Sequence, residues 1–145
     1  MTELGIGIAV MLVLFAIFFP IFIIHVIGMW KVFKKAGYEG WECIVPIYNG
    51  LIFLKIIGKP WWWIFLFCIP YVNVVFLIWG YNMLSKSFGK DEGFTVGLFL
   101  LSFIFVPILG FGKALYQGPY GDPILFRAYK DRNDPQFDFE RNELV

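Results

Sequence analysis

Between Glu3 and Lys31 the chain runs for 27 consecutive residues, Leu4 to Trp30, without a formal charge. As a helix rising 1.5 Å per residue, such a run is about 40 Å long, more than the roughly 30 Å of hydrocarbon in a bilayer. A helix of this length and apolarity cannot be hidden inside a small soluble domain, so a transmembrane span over residues 4–30, tilted to fit, is predicted. The run does not read as a cleaved signal peptide. Glu3 stands where Lys or Arg would, the apolar stretch exceeds an h-region of about 7–15 residues, and no Ala-x-Ala site follows. Pro20 lies mid-span and is expected to remove one backbone hydrogen bond and kink the helix.

Composition extends the argument to the whole chain. Of 145 residues, 59% are hydrophobic and 16% charged, against roughly 45–50% and about 25% in soluble domains. The polar residues cannot cover a water-facing surface, and 31 aromatics exclude disorder outside the C-terminus. A net charge of +1 gives no sign of a nucleic-acid partner. The lipid bilayer is the partner that composition demands.

Two further uncharged runs are predicted as spans, residues 60–84 and 93–112. The first opens on Trp61, Trp62 and Trp63, which suit an interfacial belt where each indole buries its ring and keeps its N–H wet, and it contains Pro70. The second is rich in Phe and Leu and carries Pro107. Residues 41–57 are shorter and interrupted by Pro46, Asn49 and Gly50, which favours an interfacial or re-entrant segment over a full crossing. The expected fold class is therefore all-α: a polytopic membrane protein with three transmembrane helices and one Pro/Asn-broken segment, four transmembrane helices being the alternative. Lysine placement favours three, with the N-terminus out and the C-terminus cytoplasmic. On that reading Lys31, Lys34, Lys35, Lys55 and Lys59 share the inner side with the basic tail, and only Lys86 and Lys90 lie outside. Residues 1–118 form the membrane domain and 119–145 a polar cytoplasmic tail, extended or disordered alone. Within that tail, Phe137 and Phe139 alternate with acidic neighbours and are candidates for partner pairing, though a solvated tail is the commoner reading.

Short strings recur. Val45-Pro46-Ile47-Tyr48-Asn49 and Ile69-Pro70-Tyr71-Val72-Asn73 share a Pro-x-x-Asn core, with Val106-Pro107-Ile108 a weaker match. Ile57-Gly58-Lys59, Phe88-Gly89-Lys90 and Phe111-Gly112-Lys113 echo one another. Duplicated helix-break-helix units would produce this pattern, with an Asn amide serving a carbonyl freed by Pro. Ordinary helix-entry chemistry would produce it too. Pro46, Asn49, Pro70, Asn73, Trp61, Trp62 and Trp63 are the candidate structural or interaction positions.

Reactive groups are scarce. No charge lies within the three predicted spans. His25 is the single histidine and is expected near the inner interface, hydrogen-bonded to water or backbone. Cys43 and Cys68 do not form a Cys-x-x-Cys pair and read as small apolar groups. In Ser85-Lys86-Ser87, neighbouring side chains on a helix point about 100° apart, which does not make a Ser/Lys dyad. Lys31, Lys34 and Lys35 form a basic collar that serves as a topology signal. Gly89, Gly93 and Gly97 are spaced for close helix packing. No catalytic, metal or cofactor site is expected.

The string Trp30-Lys31-Val32-Phe33-Lys34-Lys35-Ala36-Gly37, then Trp41-Glu42, Val45-Pro46-Ile47-Tyr48-Asn49 and Lys55-Ile56-Ile57-Gly58-Lys59-Pro60-Trp61-Trp62-Trp63, resembles small bacterial membrane proteins of a domain-of-unknown-function family often labelled signal peptidase I. It is similar as well to the N-terminal membrane module of long bacterial type I signal peptidases. The resemblance runs from Trp30 to about Gly118. It implies a bacterial inner membrane location but not catalysis: such a peptidase needs a Ser-Met nucleophile and a β-rich domain, and the chain has no Ser-Met pair. The expected function is a non-enzymatic membrane module, an accessory or scaffold subunit linked to protein secretion, with a membrane-protein partner or a second copy. A small oligomeric transporter or channel is the alternative.

Overall fold

The computed structural model describes residues 2–133, and its regular elements are all helical. Helix α1 spans Glu3–Lys35, capped by the Thr2 hydroxyl, which accepts from the Gly5 amide, and it continues through Pro20 without a break. A 3-10 turn at Gly40–Cys43 leads to α2, Pro46–Ile57. A second 3-10 turn at Trp61–Trp63 leads to α3, Ile64–Phe67, and then α4, Val72–Ser87. Helices α5, Glu92–Leu100, and α6, Ser102–Phe111, follow, and α7, Pro123–Arg132, is the last.

After α1 the chain descends and returns three times. In the first excursion Gly40 abuts the Trp30 ring and Cys43 Sγ lies 3.8 Å from the Val26 carbonyl, so the chain runs back down α1 before α2 climbs again. In the second, Pro60 to Cys68 descends and α4 returns, with Trp63 packed on Phe76 and Trp79 at ring distances of 5.1 and 5.6 Å. In the third, the Phe94 and Phe105 rings meet at 5.2 Å. Residues eleven apart in a continuous helix would be separated by about 16 Å. Helices α5 and α6 therefore form a hairpin, and α6 runs parallel to α1: Gly28 meets Pro107, and Lys35 Nζ reaches the carbonyls of Leu109 and Gly112 at 2.7 Å each.

The predicted continuous helices at 60–84 and 93–112 are thus corrected. The first is broken because Pro70 has no N–H to donate and Tyr71 sits at φ 65° and ψ −45°, the centre of a tight turn closed by the Val72 amide on the Pro70 carbonyl at 2.8 Å. The second is broken at Leu101, where no local sequence feature marks the turn. What permits the fold-back is Gly97, whose missing side chain leaves room for the Phe105 ring. Among the described residues only α1 is long and apolar enough to cross a membrane, and none of its most apolar 18-residue window is buried.

One end of the body gathers the helix C-termini. The amides of Gly37, Gly58 and Gly89, all at positive φ, bond back to the carbonyls of Lys34, Lys55 and Lys86. One residue on, the amides of Tyr38, Lys59 and Lys90 bond to Phe33, Leu54 and Ser85, which completes the same glycine-terminated end three times. The segment after α6 then straps across this end. The Tyr116 hydroxyl donates to the Ile56 carbonyl at 2.6 Å, the Gln117 amide to Ser87 at 2.7 Å and the Gly121 amide to Ile57 at 2.6 Å. Burial pushes the Tyr116 hydroxyl far above the ordinary tyrosine range, which keeps it a donor.

The stretch expected as an unstructured tail is a helix up to Arg132. Asp122 caps it through two amides, Pro123 supplies a preset first turn, and Tyr129 rests against Tyr116 at 5.3 Å. Phe137 and Phe139 lie outside the described residues.

The most extensive helix packing is α1 on α6, where a Cβ on Gly28 would sit 2.7 Å from the Pro107 backbone. Gly28→Val should therefore destabilise the fold by about 1–3 kcal/mol, the usual range for overpacking. Thermal unfolding in detergent beside Gly7→Val, which meets open space, is the check, and equal midpoints for the two variants would refute the close approach.

Candidate functional site: a cavity between the hairpins

The three excursions and α1 form a half-open cavity of about 390 Å³, lined by α1, α2, α3, α4 and α6. Its wall is mostly aliphatic and aromatic, with Val32, Phe33, Phe53, Ile56 and Leu84 among the contributors, and four groups add polarity: His25, Asn49, Cys68 and Tyr81. The local fold explains each position. His25 faces inward from α1 one turn before Gly28, the contact with α6. Asn49 lies in the first turn of α2, just after Pro46, which also lines the space. Cys68 stands where α3 gives way to the Pro70 turn, and Tyr81 projects from α4.

The imidazole is the distinctive group. Its Nδ1 is buried and has no hydrogen-bond partner among the described residues. The expectation of a histidine satisfied at an interface is corrected to this extent: it lies in the cavity wall beside the Ser102 backbone, and one ring nitrogen is unpaired. An unpaired buried polar atom costs about 1–3 kcal/mol unless a ligand or water meets it. The site can therefore hold a small, largely apolar molecule and offer it one or two hydrogen bonds.

The proposed interaction positions separate. Pro46 and Asn49 line the cavity, whereas Pro70 and Asn73 form the turn and first turn of α4 outside it. No side-chain hydrogen bond of Asn49 or Asn73 occurs among the described residues, so the idea that Asn serves a carbonyl freed by Pro has no contact behind it. Trp61 and Trp62 are exposed, while Trp63 is buried among Phe76 and Trp79. Of the three glycines spaced for packing, only Gly97 admits a neighbouring ring.

Sequence reasoning missed Tyr81 and the convergence of His25, Asn49 and Cys68, because they come from four elements with no shared spacing. Ser85 and Ser87 are both fully buried, Ser85 donating to the Asp91 carbonyl at 2.8 Å and Ser87 accepting from the Tyr120 amide at 3.1 Å. They tie loops together. Cys43 and Cys68 are both free thiols, and no group of three or more His, Cys, Asp or Glu gathers among the described residues.

The fold and site define an all-helical protein with one long apolar helix and a hairpin body around an apolar cavity. The chain belongs to a family of unknown function, DUF5684, which matches residues 41–119, more than half of the chain. The matched stretch begins at the first excursion and ends in the strap, so it takes in all three hairpins and leaves out α1. No curated protein and no solved structure matches the chain. Nothing found supports the likeness to signal peptidase I.

Substituting the unpaired imidazole separates structure from binding. His25→Leu should leave stability unchanged or raise it by about 1 kcal/mol, because an apolar group relieves the unmet nitrogen. Phe33→Ala, which empties a fully buried position, should cost about 3–5 kcal/mol. Unfolding curves in detergent compare the two, and a large loss with His25→Leu would mean that the nitrogen has a partner.

Proposed function

We propose that the chain is a non-enzymatic integral membrane module, an accessory or scaffold subunit of a bacterial inner-membrane complex. One observation carries the reading: α1 is strongly apolar, and no residue of its first two-thirds is buried in the described chain. A soluble protein would bury such a helix, whereas lipid or a neighbouring membrane helix would cover it. In this arrangement α1 crosses the bilayer, and the three hairpins enter one leaflet from the lysine-bearing end and return to it. The polytopic expectation becomes one crossing and three re-entrant excursions, the first over the segment already read as interfacial or re-entrant.

The charges support this orientation. Lys35 lies within electrostatic range of both Lys31 and Lys90, and Lys59 packs beside Gly121 of the strap that also holds Ser87. Lys86 and Lys90 therefore share an end with Lys34, Lys35, Lys55 and Lys59, which the three-span reading denies. The positive-inside rule then places that end, with the C-terminus, in the cytoplasm and Thr2 outside. Membership of a family of unknown function, and described residues that are all helical with no β domain among them, fit a non-enzymatic role. A link to protein secretion rests on the sequence resemblance alone.

A second reading, a small oligomeric transporter or channel, is favoured by the polar groups in the cavity. Hairpins that turn back leave no route across one copy, so it requires an assembly, and solute flux through proteoliposomes would establish it.

Topology gives a decisive check. In a Cys43→Ser, Cys68→Ser background, Lys90→Cys and Lys113→Cys should react with an impermeant thiol reagent only from the cytoplasmic side, and Thr2→Cys only from outside. Labelling of Lys90→Cys and Lys113→Cys from opposite sides would restore three spans. For the scaffold role, crosslinkers placed along residues 4–20 in native membranes should capture a discrete protein neighbour. Recovery of the uncrosslinked chain alone would sink that role while leaving the topology standing.

A further inference from the structure

Outside the central cavity a second concavity, about 330 Å³, lies on the outer face of α2. Its floor is Leu51 and Ile52, its cationic wall is Lys55 and Lys59, and Tyr48 and Trp61 flank it. Tyr48 is buttressed by Trp41, ring centroids 5.7 Å apart, and Trp61 by Phe65 at 6.0 Å.

We propose that this groove binds one glycerophospholipid, its phosphate between Lys55 and Lys59 and an acyl chain on Leu51 and Ile52, with a preference for anionic headgroups. The proposal rests on the membrane orientation above. Charge complementarity argues for it: neither Lys55 nor Lys59 is in an ion pair among the described residues. The Lys59 ammonium lies over the Trp63 and Trp79 rings at 5.2 and 5.8 Å, just outside the groove, a contact that leaves its positive charge uncompensated. The groove contains one carboxylate, Glu42, and that side chain already accepts the Glu39 amide at 3.2 Å. Two cations against one engaged carboxylate leave the site positive. The apolar floor selects a lipid over free phosphate, because an inorganic ion would gain nothing from Leu51 or Ile52. Trp61, two residues after Lys59, suits the headgroup level, where Trp collects, while Tyr48, in the first turn of α2, flanks the deeper, apolar part of the groove.

The full-length chain, reconstituted in phosphatidylcholine nanodiscs with and without phosphatidylglycerol, provides the test. Lipid retained after transfer to detergent is read by native mass spectrometry. The parent should retain one phosphatidylglycerol, and Lys55→Gln and Lys59→Gln should each weaken retention roughly fivefold. Lys113→Gln, an exposed cation outside the groove, should change it little. Equal losses in all three variants, no retained lipid in the parent, or displacement by inorganic phosphate would each overturn the proposal. Copurification of a second copy seated on the groove in place of lipid would overturn it too. Alkaline extraction from vesicles distinguishes the two readings. A chain that is stripped off overturns the membrane orientation and the groove with it, whereas an inserted chain without lysine-dependent retention overturns the groove alone.

Discussion

A helix that ends inside a packed body leaves carbonyls that water cannot reach, and the architecture follows from where those carbonyls are met. Helices α1, α2, α4 and α6 all terminate at one end of the body. Three stop on a glycine in the left-handed region, and the fourth is closed by the Lys35 ammonium. The strap from Tyr116 to Gly121 serves the remaining carbonyls of α2 and α4. Because the negative ends of several helix dipoles meet there, lysine is the favourable neighbour. The same cations that set an orientation in a membrane thus also close the fold.

Much of this architecture could be read from residues, though not always with the right meaning. The length of α1 followed from an uninterrupted apolar run, which no local packing could counterfeit. The Gly-Lys echoes at Gly58 and Gly89 mark equivalent helix ends, and the Pro-x-x-Asn strings mark the bottoms of the first two excursions. Gly112 follows the same sequence pattern but is extended, and Lys35 performs the closing role there. The second and third excursions read as continuous helices because hydropathy counts apolar residues without seeing whether the chain turns among them. Tyr71 at positive φ and Leu101 without any breaker residue are tertiary outcomes, and neither has a sequence signature.

The candidate site was less legible than the fold. Asn49 and Pro46 stood out for their place in an apolar run, and both line the cavity, but Tyr81 resembles any other aromatic on an amphipathic face. His25 was visible as a lone histidine, and its significance lies in an unmet nitrogen that only packing reveals. Lys55 and Lys59 were counted for their sign, whereas their placement over an apolar floor between aromatics depends on how the second excursion folds against α2.

The unequal reach of the elements carries a mechanical consequence. In the proposed orientation one leaflet accommodates the hairpin body and a helix beside it, and the other accommodates the bare first two-thirds of α1. Lipid is therefore displaced in different amounts on the two sides. A molecule of that profile has a preferred bilayer curvature, so its distribution along a membrane would depend on local shape as well as on the proteins it meets.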